Sequence, residues 1–413
     1  MTAPVPKDRP LRLIVQQAAL PKYRVPVFRE LANRPGIQLK VFYSDVPGLS
    51  NIEPSGFDAA HVPMRRWNLL GHPFYWHRPQ WTCATPKHAD VLILSWDLHY
   101  LSLVPSLLRA KANGLPTILW GHGYSKREAA WRSFPRRKVA QLATALLFYN
   151  HTTARAYIEA GWNPDRIYVA LNSLDQTPIQ QARQHWLARP QDLHDFQQKE
   201  SLTPGPVILF VSRLDADNQV DLLLEAASHL TNTYPHLRIV IIGKGADEHR
   251  LRQLAAFIGI ERHVRFLGAI YDEQNLAPWF LSSNLFCYPA NIGLSILHAF
   301  GYGLPVVTSD RLESQNPEIE ALQNGRNGLL YAHGDVSALV NALARTLRDR
   351  DLAHQMSDEA FKTATQRFTL RNMVDGFEAA ARYCAERGQQ EHPDSARQDA
   401  PATNNNLKLA PPR

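Results

Sequence analysis

Short runs of consecutive apolar residues alternate along most of the chain with longer stretches in which apolar positions recur every three or four residues. The runs predict strands at 11–15 (LRLIV), 37–43, 90–95 (DVLILS), 116–120 (PTILW), 145–149 and 166–170. The amphipathic stretches between them predict helices near 22–33, 98–113, 127–143 and 152–160. A polar, glutamine-rich interval over 176–204 reads as an interruption, with a linker near 185–204. The alternation then restarts, with strands at 206–212 (PVILFVS), 238–242 (RIVII), 264–267, 284–288 (NLFCY) and 304–308 (LPVVT), each flanked by a helical stretch. Strands that are apolar throughout belong to parallel sheets covered by helices on both faces.

Two such blocks in series predict an α/β protein of two Rossmann-like domains facing a cleft. The first spans 1–190; the second spans 191–370. A helix over 371–388 is expected to cross back to the first domain, and the polar, proline-bearing tail over 389–413 to be disordered. Ligands of open parallel sheets sit at the carboxyl ends of the strands, so two facing domains enclose one site.

At 413 residues the chain is long enough to bury two cores without staples. Three cysteines, Cys83, Cys287 and Cys384, are far apart and odd in number, which argues against a disulfide framework and for a reducing compartment. No run approaches the roughly 18 apolar residues of a membrane span, and the start MTAPVPKDRPLRLIV lacks a secretory pattern. A cytoplasmic protein is expected, with a peripheral place at the inner membrane as its alternative setting.

Charge is placed unevenly. Residues 1–200 hold 25 Lys/Arg against 14 Asp/Glu, whereas residues 201–413 hold 20 against 24. A basic half can face nucleic acid, an anionic membrane or an acidic substrate. No nucleic-acid module is recognisable, so that partner is not expected. The segment KREAAWRSFPRRKVAQLATALLF (126–148) mixes cations with Trp131 and Phe134. It suits a helix lying on an anionic bilayer, and equally a solvated helix whose Val139, Leu142 and Leu146 face the core.

Chemistry concentrates in an ordered set of short motifs. NPDRIYVALNSLD (163–175) closes the first block. There follow VILFVSRLDADNQVDLLLEA (207–226), IVIIGKGADEHRLRQLA (239–255), VRFLGAIYDEQNLAPWFLSSNLFCYPA (264–290), NIGLSILHAFGYGLPVVTSD (291–310) and NPEIEALQNGRNGLL (316–330). A helix starting at Gly293-Leu294-Ser295 presents unpaired N–H groups and a positive dipole end, which suits a pyrophosphate. Gly293 lets the backbone approach closely.

In this order the motifs resemble the family 4 glycosyltransferases of the GT-B fold, densely over about 145–385 and more loosely over 10–145. The resemblance implies a retaining, hexosyltransferase-type enzyme that moves a sugar from a nucleotide diphosphate donor to a saccharide or lipid-linked acceptor in surface glycan synthesis. It implies no cofactor and no metal. It places Arg213 where the family's phosphate-binding arginine sits, with forked donors for the leaving diphosphate.

Two departures stand out. Where the family carries a lysine shortly after that arginine, this chain has Asn218; Lys244, in the loop after the next strand, is the expected substitute. Where the family carries two glutamates separated by seven residues, this chain has Ala290 and His298. His298 can still bond ribose hydroxyls. The sugar then falls to backbone groups near Asn291 and Ile292, to a residue of the first domain, or to Glu318 and Glu320.

In the first domain Gly121-His122-Gly123 follows a strand, so a tight turn can present His122 to the cleft. Asp97 ends another strand, and Lys22, Tyr23 and Arg24 follow the first; all four are expected at the acceptor. RRWNLLGHPFYWHRPQW (65–81) interleaves aromatic rings with cations, as a sugar-stacking surface or a hydrophobic loop does. Competing expectations are a nucleotide-sugar epimerase or hydrolase and a catalytically silent GT-B partner, the latter suggested by Asn218 and Ala290.

Overall fold

The computed structural model describes residues 9–69, 71–124 and 130–390. In the first domain β1 (Leu11–Gln16), α1 (Val25–Ala32), β2 (Ile37–Tyr43), β3 (Asp58–His61), β4 (Arg65–Leu69), β5 (His72–Trp76) and α2 (Arg78–Thr82) come first. They are followed by β6 (Val91–Ser95), α3 (Leu103–Ala112), β7 (Thr117–Gly121), α4 (Ala130–Ala140), β8 (Ala145–Phe148), α5 (His151–Glu159) and β9 (Ile167–Val169). Seven of these strands form a parallel sheet in the order β3-β2-β1-β6-β7-β8-β9, while β4 and β5 pair antiparallel as a separate ribbon.

The second domain runs α6 (Thr177–Leu187), α7 (Pro190–Lys199), β10 (Val207–Val211), α8 (Val220–Leu230), β11 (Arg238–Ile242), α9 (Glu248–Phe257), β12 (Val264–Phe266) and α10 (Glu273–Leu281). It continues through β13 (Leu285–Cys287), α11 (Ser295–Gly301), β14 (Val306–Ser309), β15 (Gly328–Tyr331), α12 (Val336–Arg348), α13 (Arg350–Lys362) and α14 (Leu370–Gln390). Its sheet is parallel throughout, in the order β12-β11-β10-β13-β14-β15. The all-apolar strands lie where their composition puts them: Val207–Phe210 and Ile239–Ile242 are buried, flanked by helices on both faces.

The glutamine-rich interval is not a linker. It forms α6 and α7, because Ile179, Ala182, Trp186 and Phe196 recur at helical spacing among the glutamines and pack on the second core. Trp186 donates to the Gln274 carbonyl at 2.9 Å, and Gln180 to that of Gly301 at 3.1 Å. The chain therefore passes between the cores at about 170–176, ahead of the boundary at 190 that polarity suggests.

α14 packs on the first sheet through Met373, Val374, Phe377, Ala380, Ala381 and Cys384. Phe377 stands edge-on to Trp120 at 4.6 Å. Gly376 makes the approach possible, since a Cβ there would lie 2.0 Å from the Val169 carbonyl oxygen. The cysteines at 83, 287 and 384 are free and buried. Among the described residues no helix is long and apolar enough to cross a membrane. The expected tail lies outside the described residues from 391 onward, as do Lys126 and Arg127 of the basic segment.

Candidate functional site

The order of the second sheet reverses between β10 and β13, and the loops leaving their carboxyl ends carry the motif residues. Two of these loops run main chain against main chain. A Cβ on Gly243 would lie 1.7 Å from the Ser212 oxygen, and one on Gly245 2.1 Å from the Leu214 oxygen, so glycine is required at both positions. Leu214 N–H donates to the Lys244 carbonyl at 3.0 Å. Arg213 and Lys244 are thus brought together on neighbouring loops. The Arg213 side chain is 74% exposed, with Asp215 at 3.5 Å, and Lys244 is exposed.

Asn218, expected at the donor, is 4% exposed and turned inward. Its amide donates to the Arg213 carbonyl at 2.7 Å and its oxygen accepts from Asn291 at 3.2 Å. A short amide here pins the arginine loop to the loop after β13. The Ile292 N–H, expected at the sugar, is consumed: it donates to Gln315 at 2.7 Å, and Gln315 is itself buried against Thr308 and Ser309. Asn291 sits at φ 62°, held by the Asn316 amide on its carbonyl at 3.0 Å. Gly293 follows under Asn316, where a Cβ would come within 3.2 Å of the amide nitrogen.

α11 then begins. Ile296 N–H closes on the Gly293 carbonyl and Leu297 N–H on that of Leu294, so the amides of Gly293, Leu294 and Ser295 precede the first closed turn. Ser295 Oγ donates to the Val211 carbonyl at 3.2 Å, tying this start to β10. Ala290 lines an adjoining cavity of 350 Å³ with Asp217, Gln219, Asn291, Arg311 and Glu313.

One turn into α11, His298 meets a carboxylate from another helix. Its Nε2 lies 2.8 Å from Glu273 Oε1, and Tyr302 Oη donates to the same oxygen at 2.6 Å. Phe280 stacks on both rings, with centroids at 4.8 and 4.7 Å. Burial pushes the Glu273 carboxyl up, but the bonds from His298 and Tyr302 and the charge of Lys22 in the other domain outweigh it. The net position is below the usual carboxylate range. Burial and the adjacent carboxylate push the Tyr302 phenol up. Lys22, expected at the acceptor, opens the short turn after β1 and is exposed.

Glu318 and Glu320, on the turn Pro317–Ala321, reach across to the first domain and its exit. Glu320 Oε1 accepts from His151 N–H at 3.1 Å and lies 2.8 Å from His151 Nδ1. Its Oε2 accepts from Thr152 N–H and Oγ1, both at 2.8 Å. It therefore caps α5 from across the domain junction, beside Asn150, which caps the same helix through Thr153 N–H. Burial raises the Glu320 carboxyl, and the four contacts bring it below its ordinary value. Glu318 is buried and accepts from the Asn172 amide.

Arg24, expected at the acceptor, is 5% exposed. It donates to Asn172 Oδ1 at 2.9 Å and is enclosed by the rings of Trp120 at 4.8 Å, Tyr23 at 5.1 Å and Tyr149 at 5.2 Å. An arginine after β1 reads as a surface cation, but the aromatic cage and the Asn172–Glu318 relay make it part of the junction. Burial, against the opposing charge of Arg24, pushes the Tyr149 phenol up to about 12. His122 leaves the carboxyl end of β7, exposed, 4.8 Å from the Tyr149 ring. Its turn needs Gly123, at φ 71°, where a Cβ would lie 2.6 Å from Phe148. Asp97 is taken up locally: it accepts from His99 N–H at 2.9 Å and lies 2.7 Å from His99 Nδ1, beside the ribbon.

The roles of Asn172, Glu273, Tyr302 and Gln315 are not legible locally, because each has a partner far off in sequence. The one local signal was Tyr302, four residues after His298 on the same helix face.

These motif-bearing loops invite comparison with known proteins. Residues 192–363 match the family model of the glycosyl transferases group 1. That group 1 stretch runs from α7 to the end of α13 and takes in Arg213, Lys244 and all of α11. The chain is 30% identical over 175 residues to an exopolysaccharide phosphotransferase of Streptomyces coelicolor, covering 41% of this chain and 18% of that protein. It is 31% identical over 153 residues to the phosphatidyl-myo-inositol mannosyltransferase of Mycolicibacterium smegmatis, covering 36% and 38%. The chain thus spans less than half the length of either relative. HepE of Anabaena, crystallised with UDP, superposes with a TM-score of 0.66 at 17% identity over 89% of this chain and 98% of that one. A glycosyltransferase of Rickettsia africae gives 0.67 at 14% identity over 91% and 98%. The fold is GT-B, two parallel-sheet α/β domains with helices between the strands.

Proposed function

We propose that this chain is a retaining glycosyltransferase that moves a sugar from a nucleotide diphosphate, held by the second domain, to a saccharide or lipid-linked acceptor at the first. Its setting is surface glycan biosynthesis in the cytoplasm. The observation that carries this is the convergence of Arg213, Lys244 and the start of α11 at the carboxyl edge of β10, β11 and β13. As the anomeric carbon–oxygen bond breaks, charge gathers on the departing diphosphate, where a forked guanidinium, an ammonium and N–H groups stabilise it. The acceptor oxygen bonds to that carbon from the same face and its proton passes to the leaving phosphate oxygen. No carboxylate nucleophile is invoked, since position 290 is alanine and Glu318 and Glu320 are engaged with the first domain. His122 is the acceptor-side candidate, and the cavity beside Ala290 can take the sugar's hydroxyls. No metal or other cofactor is assigned a step.

We further propose that the first domain meets an anionic membrane. The outward face of the ribbon carries Trp67 and Leu69, 46% and 62% exposed, between Arg65 and His72. Leu101, Val104 and Leu108, on α3 and the turn before it, are exposed apolar side chains of the same domain. Trp67→Ala with Leu69→Ala should lower sedimentation with phosphatidylglycerol vesicles; unchanged binding rejects this surface.

A thermal-shift screen of common nucleotide sugars tests the donor assignment, because a ligand of the folded state raises its melting temperature. At least one should do so, and Arg213→Ala should reduce the shift. A screen in which none stabilises the protein overturns it. Inward-turned Asn218 and Ala290 favour a second possibility, a catalytically silent partner of an active transferase, for which a donor titration would show no nucleotide binding.

A further inference from the structure

The carboxylate that α11 lacks at position 298 is present in space, supplied by α10. We propose that Glu273 receives a ribose hydroxyl of the donor nucleotide, with His298 and Tyr302 as its positioning residues; this rests on the donor site proposed above. Asp272 caps α10 by accepting from Asn275 N–H at 3.0 Å, which fixes Glu273 as the first helical residue. Both contacts to its carboxylate, from His298 and Tyr302, fall on Oε1. Oε2 makes no hydrogen bond among the described residues, and the side chain keeps 22% of its exposure. One oxygen is therefore held while the other is available to a hydroxyl donor. The carboxylate also stays ionised at neutral pH, which makes it the stronger acceptor.

Its place in the fold fits a ribose. His298 lies about one helical turn, roughly 5.4 Å, beyond the start of α11 where the diphosphate is placed, and a ribose is joined directly to that diphosphate. Phe280, stacked under His298 and Tyr302, prevents either ring from swinging away. The same geometry explains the histidine. A glutamate at 298 would set two carboxylates side by side, whereas an imidazole there turns the contact into an attraction.

Titration of the full-length protein with UDP, GDP and ADP tests this, followed by the tightest binder's 2′-deoxy and 3′-deoxy forms. The wild type should prefer the ribonucleotide about tenfold or more over at least one deoxy form. Glu273→Ala should bind ribo and deoxy forms equally, whereas Arg213→Ala should weaken both and keep the preference. The exchange Glu273→His with His298→Glu keeps the pair and should restore discrimination, which guards against a merely misfolded single variant. A Glu273→Ala protein that keeps the wild-type preference, or a wild type without one, overturns the inference alone. If the wild type binds none of the three diphosphates, the donor site and this inference fall together.

Discussion

Replacing Glu320 should loosen the contact between the two domains. Glu320→Ala removes the acceptor of two N–H groups in the first turn of α5, of the Thr152 hydroxyl, and of the His151 contact. A hydrogen bond to a charged group contributes about 1.5–3 kcal/mol, but the four share one carboxylate, and the freed N–H groups can turn to water. A loss of about 2 kcal/mol is expected, roughly 30-fold in the equilibrium for separating this contact. Glu320→Gln keeps an acceptor but not the charge at a helix N-terminus and should lose about half as much. Amide hydrogen exchange is the direct assay: protection at His151 and Thr152 should fall in both variants, while that in β10 and β11 holds. Low pH should act like the mutation. The folded-state carboxyl lies below its ordinary value of 4.5, so its stabilisation is complete above that value and is lost as pH falls through the lowered one. Unchanged protection at residues 151 and 152 in Glu320→Ala would refute the assignment of this carboxylate as an interdomain cap.

Two further outcomes follow from packing. Asn218→Ala removes the side chain that bonds both the Arg213 carbonyl and Asn291, so about 1–2 kcal/mol of stability should disappear in urea unfolding. Asn218→Lys should be no milder, because the site is closed; a stable lysine variant would show that the pocket opens to the cleft. Gly376→Ala sets a methyl 2.0 Å from a main-chain oxygen of β9, which must push α14 off the first sheet. A cost of about 1–3 kcal/mol is expected, read as a lowered melting temperature, and an unchanged one would contradict the close helix–strand approach.

Legibility depended on whether a residue's partner was its sequence neighbour. The strands, the alternation that sets two parallel sheets, and the placing of Arg213, Lys244 and Gly293–Ser295 at strand ends all follow from local pattern, because hydrophobic periodicity and loop position are local properties. The helices α6 and α7 were hidden because their few apolar positions are outnumbered by glutamine, and only the second core reveals that Ile179 and Ala182 are buried.

Tertiary structure alone decided the uses of the charged groups. Arg24 looks like a surface cation until three rings and Asn172 close around it, and Glu318 and Glu320 look like sugar ligands until the first domain is set against them. Glu273 is 25 residues from the histidine it holds. A side chain's hydrogen-bond partner is fixed by proximity in space, and proximity between remote segments exists only once the sheets that carry them have folded.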